Sequence, residues 1–221
     1  MKDYREKELK AYIVGNILIL GLLSLKIDIK AFVVGDYYSI VASIFSTGIV
    51  SMSFYAYSFI MDSLVPSDWK HKIATLSRLP GETIWTELKK TSRDNRFSTE
   101  EVHEKYKYVY DAIPHENSYK YQNQQWYKIY SRVQTEVKVE QAQRDYLLCR
   151  DMNVSNVMMI IIYLVFCFGF KFFNFSWSAI IFIGIMYVLL IISTKNRAVR
   201  FAKTVISVDI NYSKKNSDDK K

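Results

Sequence analysis

Glycine, proline and cysteine are scarce in this chain, with seven, three and two among 221 residues. So few glycines leave little material for loops that wrap a phosphate, and no Walker, G-x-G-x-x-G or G-x-S-x-G pattern occurs. Three histidines, His71, His103 and His115, are scattered and fall into no H-E-x-x-H or His-x-Glu spacing. Each reads as a solvated polar residue, not a ligand or base. Cys149 and Cys167 stand 18 residues apart, one of them inside an apolar run, so neither a disulfide nor a metal cluster is expected. No paired carboxylates suited to acid and base work stand out either. The sequence offers no catalytic residues, no metal centre and no cofactor site, and it is read as a non-enzyme.

Charge is also missing, but only locally. Tyr37 to Met61, Met152 to Phe170 and Phe172 to Thr194 are runs of 25, 19 and 23 residues without a charged side chain. A helix needs about 18 to 20 such residues to cross the hydrocarbon of a bilayer. A first run, Ala11 to Leu25, has 15 residues and is continued by Ala31 to Val34, past Lys26 and Lys30, whose stems can snorkel at an interface. Its length and the preceding Lys2, Arg5, Lys7 and Lys10 also fit a signal peptide. Against that, no small-x-small cleavage site follows, and Asp3, Glu6 and Glu8 dilute the basic region, so it is read as a retained span.

The expected fold is an all-α membrane protein, with four transmembrane helices in two pairs and a helical cytoplasmic insert. Its parts are a cytoplasmic N-terminal tail (1–10), a first hairpin (11–61), a cytoplasmic helical domain (62–151), a second hairpin (152–194) and a basic tail (195–221). The formal net charge of +8 is unevenly spread: the middle has 15 Lys and Arg against 14 Asp and Glu, the tail eight against three. An even number of spans puts all three polar parts on one side, and the basic excess makes that side cytoplasmic. The expected location is a bacterial inner membrane, crossed several times, with both termini cytoplasmic and the turns at Asp28 and Lys171 outside.

The middle carries helix signals and no period-two alternation, so no sheet is expected. One helix opens at Ser67 and Asp68 and runs toward Leu79, where Pro80-Gly81 breaks it. A second spans about Glu82 to Lys90. Ser98 with Glu101 forms a capping box for a third, reaching Ala112 before Pro114. From Asn117 to Phe168 there is neither proline nor glycine. If helical throughout, that stretch is a rod of about 75 Å leading from the cytosol into the third span.

The second span has a hydroxyl face. Ser39, Ser43, Ser46, Ser53 and Tyr57 fall within about 80° at about 100° per residue. Close helix packing is one reading, since small hydroxylated residues let membrane helices approach. Pore lining is the other, with Ser39, Ser43, Ser46 and Ser53 along a conduit and Asp62 at its mouth. A four-span chain is small for a transporter, so a conduit would form between copies.

Lys105 to Arg132 mixes aromatic, amide and basic residues densely. Tyr119, Lys120, Gln122, Asn123, Trp126, Tyr127, Lys128 and Arg132 offer stacking faces for bases, cations for phosphates and amides for an adenine edge. The competing reading makes the tyrosines core or interfacial anchors, because the segment lacks the basic excess of a dedicated nucleic-acid domain.

Four spans in two pairs, the helical insert, and the stretches Leu79-Pro80-Gly81-Glu82 and Arg144-Asp145-Tyr146-Leu147-Leu148 together resemble the small membrane effectors of bacterial anti-phage operons. The chain is most similar to the channel effectors of Hailong defence. The resemblance covers most of the chain in layout and carries over no residue by position. It implies a homotetrameric channel that depolarises the inner membrane and is held closed by deoxyadenosine-rich single-stranded DNA from an operon-encoded nucleotidyltransferase. Expected partners are therefore further copies of the chain, membrane lipid, a nucleotide or single-stranded DNA, and that enzyme. The alternative is a non-conducting membrane scaffold or a toxin-immunity protein.

Overall fold

The computed structural model describes residues 2–24, 48, 52, 56, 60, 64–90, 94–114, 116, 118–171 and 174–218. Among these the ordered elements are all helical: α1 (Lys2–Ser24), α2 (Ser67–Thr75), α3 (Pro80–Lys90), α4 (Thr99–Lys105), α5 (Lys107–Asp111), α6 (Ser118–Val133), α7 (Val137–Leu164) and α8 (Trp177–Asp218). A π-helical turn, Val165–Gly169, continues α7. Gly48, Met52, Ala56, Ile60 and Leu64 are helical as well.

Two helical stretches are long and apolar enough to cross a membrane, Val137–Gly169 and Trp177–Tyr212. The sequence reading also put spans at 11–61. There α1 is helical through the first apolar run, while most of the second run lies outside the described residues.

The chain divides into two compact units, Met1–Ala74 with Leu148–Ile192, and Thr75–Leu147 with Ser193–Lys221. In the first, Ile13, Ile17 and Leu20 of α1 form one apolar cluster with Met159, Ile162, Tyr163 and Phe166 of the α7 segment and with Ala179 and Ile183 of α8. Polar side chains thread this cluster. The Tyr12 hydroxyl donates to Asn156 Oδ1 at 3.3 Å, and Asn156 Nδ2 donates to the Ile183 carbonyl at 3.0 Å. The last carbonyls of α2 are capped from two helices, by Tyr187 onto Ile73 at 3.1 Å and by Asn153 onto Ala74 at 2.8 Å.

The second unit has its own core. Ile84, Trp85 and Leu88 of α3, Val102 of α4, Val109 of α5 and Trp126, Ile129 and Val133 of α6 pack with Phe201, Val205, Ile206 and Ile210 of α8. Burying each such side chain contributes about 1.5–3 kcal/mol. The span of residues 195–221 treated as a basic tail is thus largely helix, and its inner face completes this core. Ala198, Phe201, Ala202, Val205, Ile206 and Ile210 recur at intervals of three and four and are buried, while Lys195 and Arg200 face outward.

Other expectations shift locally. The capping box is present: Ser98 Oγ accepts from the Glu101 amide at 3.1 Å, and Glu101 Oε2 accepts from the Ser98 amide at 3.1 Å. Its helix is interrupted at Tyr106, which is fully buried. The first insert helix stops at Thr75, because Leu76 adopts a left-handed φ of 49°. Pro80 occupies the first turn of α3, where its missing N–H costs nothing. The rod expected over residues 117–168 is broken by a turn at residues 134–136. On a straight helix Val133 and Val139 would point about 120° apart; with the turn between them both enter the same core.

Candidate functional site

Helix α6 carries all eight residues that the sequence singles out for ligand binding, and packing divides them between two faces. It lies against α3 because Gly81 removes the side chain at the crossing. A Cβ there would overlap Asn123 Oδ1 and come within 2.9 Å of the Trp126 ring. The Gln122 side chain is buried and spent on α3: Oε1 accepts from the Thr86 amide at 3.3 Å, and Nε2 donates to Thr86 Oγ1 at 3.0 Å. Its backbone carbonyl accepts from Trp85 Nε1 at 3.1 Å. Trp126 is buried too, stacked on Tyr130 and edge-on to Phe201, with its indole N–H on the Ala202 carbonyl at 3.3 Å.

The other face is open. Tyr119, Lys120, Tyr127, Lys128 and Arg132 are exposed, and Asn123 is half-buried. Arg78, just before α3, lays its guanidinium 3.2 Å from the centre of the Tyr119 ring. This pair joins a flat aromatic surface to a fork of donors suited to an anion. Sequence reasoning missed Arg78 because it is distant in sequence from Tyr119 and belongs to no local aromatic cluster.

Arg132 is less available than its exposure suggests. It reaches Asp209 of α8 at 3.2 Å, and the same carboxylate takes Lys105 at 2.7 Å and the Tyr106 hydroxyl at 2.6 Å. Asp209 is nearly buried, so this convergence neutralises its charge inside the unit. Burial, and then the Asp209 carboxylate, push the Tyr106 phenol far above the ordinary tyrosine value. Burial alone pushes Tyr110 up to about 12. In the loop before α4, hydrogen bonds from Arg96 hold Asp94 below the usual carboxylate range. Arg96 also donates to Thr204 Oγ1 of α8 at 2.8 Å.

The proposed pore-facing residues Ser39, Ser43, Ser46, Ser53 and Asp62 lie outside the described residues. Near them in sequence, Met52, Ile60 and Leu64 are exposed. Two polar atoms of α7 in the first unit, Asn153 Oδ1 and Ser155 Oγ, are buried with no hydrogen-bond partner among the described residues. No group of three or more His, Cys, Asp or Glu side chains placed to hold a metal ion occurs among the described residues.

No protein-family model matches the chain, nor does any curated protein. No solved structure matches it either.

Proposed function

We propose that the chain is a multi-pass inner-membrane protein of bacterial anti-phage defence. It crosses the bilayer four times with both termini cytoplasmic, assembles with further copies, and conducts ions when its cytoplasmic unit is released from a ligand. Membrane placement draws support from α8, where Ile181, Ile185, Val188, Leu189 and Ile192 are all more than half exposed on one helical face. Only 22% of the most apolar part of Trp177–Tyr212 is buried, which supports a lipid-exposed span over the core helix of a water-soluble fold.

One observation carries the conduit reading. Asn153 and Ser155 are 0% exposed on a candidate span, and Asn153 Oδ1 and Ser155 Oγ have no hydrogen-bond partner among the described residues. Polar groups at membrane depth characteristically face a water-filled interior or another helix, since an unpaired one costs several kcal/mol in hydrocarbon. The ligand reading rests on the open face of α6, with the Arg78–Tyr119 stack beside Lys120 and Lys128. That chemistry suits a nucleotide or single-stranded DNA, which an operon-encoded nucleotidyltransferase would supply. The rival, a non-conducting scaffold or immunity protein, accounts for the helices but gives the open face of α6 no ligand.

The test is ion flux through lipid vesicles holding the purified full chain, before and after nuclease treatment. Flux that appears or rises on removing bound nucleic acid supports the gated channel. A monomer that carries no current in either state selects the scaffold.

A further inference from the structure

At the turn between α7 and α8, five ordered side chains present an uncommon surface. Phe168, Phe170, Phe175 and Trp177 are exposed by 65%, 59%, 39% and 71%. Phe168 meets Phe175 at 5.5 Å and Phe175 meets Trp177 edge-on at 5.2 Å, while Phe170 meets the buried Phe166 at 5.6 Å. Lys171, also exposed, is the only charged residue between Asp151 and Lys195. The surface is held in place from below. Tyr163 of α7, fully buried, takes the Ser176 amide on its hydroxyl at 2.9 Å and donates to the Asn174 carbonyl at 3.4 Å.

We propose that this turn is a lipid-headgroup anchor, seated in the interfacial layer of the outer leaflet with its rings among the upper acyl chains and Lys171 against lipid phosphates. The inference rests on the membrane placement above. Three features select lipid as the occupant. The turn closes both helical stretches long and apolar enough to span, so it emerges where hydrocarbon ends. Its composition, tryptophan and phenylalanine around one lysine, is that of an amphipathic interfacial belt. Four exposed rings, three of them in mutual contact, also present apolar surface that water solvates poorly. Placing Lys171 in the headgroup layer would favour an anionic leaflet, since one lysine near such a surface contributes about 1 kcal/mol.

Trp177 reports its own depth. The full chain is reconstituted in phosphatidylcholine vesicles with and without phosphatidylglycerol, and the Trp177 signal is taken as the difference from the Trp177→Phe protein. The anchor predicts blue-shifted emission, strong quenching by phospholipids brominated near the carbonyl end of the acyl chain, weaker quenching by terminal bromines, and protection from aqueous acrylamide. Acrylamide quenching without bromine quenching would place the turn in water and overturn the proposal. Protection from both quenchers would mean a second protein surface covers the rings, and equally overturns it. Lys171→Glu should lower the shallow quenching more where phosphatidylglycerol is present, and equal loss in both lipids would overturn the preference for an anionic leaflet. Extraction of the chain by alkaline carbonate would instead sink the membrane placement itself.

Discussion

Helix α8 runs through both units, and its two halves use apolar side chains in opposite ways. Between Trp177 and Ile192 the large aliphatics at 181, 185, 188, 189 and 192 are exposed. From Ala198 to Ile210 the apolar positions at 201, 202, 205, 206 and 210 are buried in the second unit's core. Charge and periodicity separate these environments. The first half is apolar all round and suits lipid on its free side. The second half alternates an apolar stripe with Lys195, Arg200 and Lys203, and suits a protein core on one side with water on the other. Each unit should therefore break by a different chemistry.

The largest effect is expected from Trp126→Ala. It removes the stack on Tyr130, the edge contact with Phe201 and the hydrogen bond to Ala202, and should cost about 3–5 kcal/mol. Limited proteolysis should then cut within residues 75–147, while the chain stays in the membrane fraction. Joint loss of both would mean that the units are not separately stabilised.

Ile185→Asp tests the first unit. A carboxylate at a lipid-facing position costs about 2.5–3.5 kcal/mol of insertion on the translocon scale. Recovery in the membrane fraction should drop while the folded second unit keeps its protease resistance. A variant that inserts normally would show that the exposed face of α8 meets something other than lipid.

Asp209→Ala sharpens the comparison within the second unit, because the residue lies on the half of α8 that behaves as a core helix. Tyr106 loses its acceptor, and Lys105 and Arg132 lose their shared carboxylate. The expected loss is about 2 kcal/mol, measured by denaturant unfolding in detergent. Gly81→Ala should cost about 1–2 kcal/mol through overlap with Asn123 and the Trp126 ring, in the same assay. If either is silent, α3, α6 and α8 do not unfold as one body.

Much of this was legible in residue patterns. The Ser98 and Glu101 capping box, the helix start at Ser67 and the apolar helices at 152–194 follow from local chemistry. The division of α6 into a packed and an open face was not, because Gln122 and Lys120 are both polar and only the approach of α3 at Gly81 decides which is buried. The turn at residues 134–136 carries no break residue, and tertiary burial of Val133 and Val139 imposes it. The stripe from Ala198 to Ile210 was present in the sequence but masked by the surrounding lysines and arginines, which draw attention to charge before period. Arg78 and Asp209 become visible only once distant helices meet.

The smallest expected effect separates the units by pH. The Tyr110 ring stacks on His103 at 4.5 Å and meets Trp85 edge-on, while its buried hydroxyl has no hydrogen-bond partner among the described residues. Burial favours the neutral phenol, so the folded group titrates near 12 and the unfolded one near 10. Between those values the unfolded chain releases a proton that the folded chain keeps. The stabilisation is therefore complete below about pH 10 and is lost as pH rises through about 12. Tyr106, shifted further, acts in the same direction. Tyr110→Phe removes one ionisation and an unpaired hydroxyl together, so stability at neutral pH should be unchanged or slightly higher, and the alkaline decline of the second unit should become shallower. Thermal unfolding followed between pH 8 and about 11, a range bracketing the ordinary tyrosine value, reads both. An unchanged alkaline slope would place the Tyr110 hydroxyl in water, and would reassign this part of the second unit from core to surface.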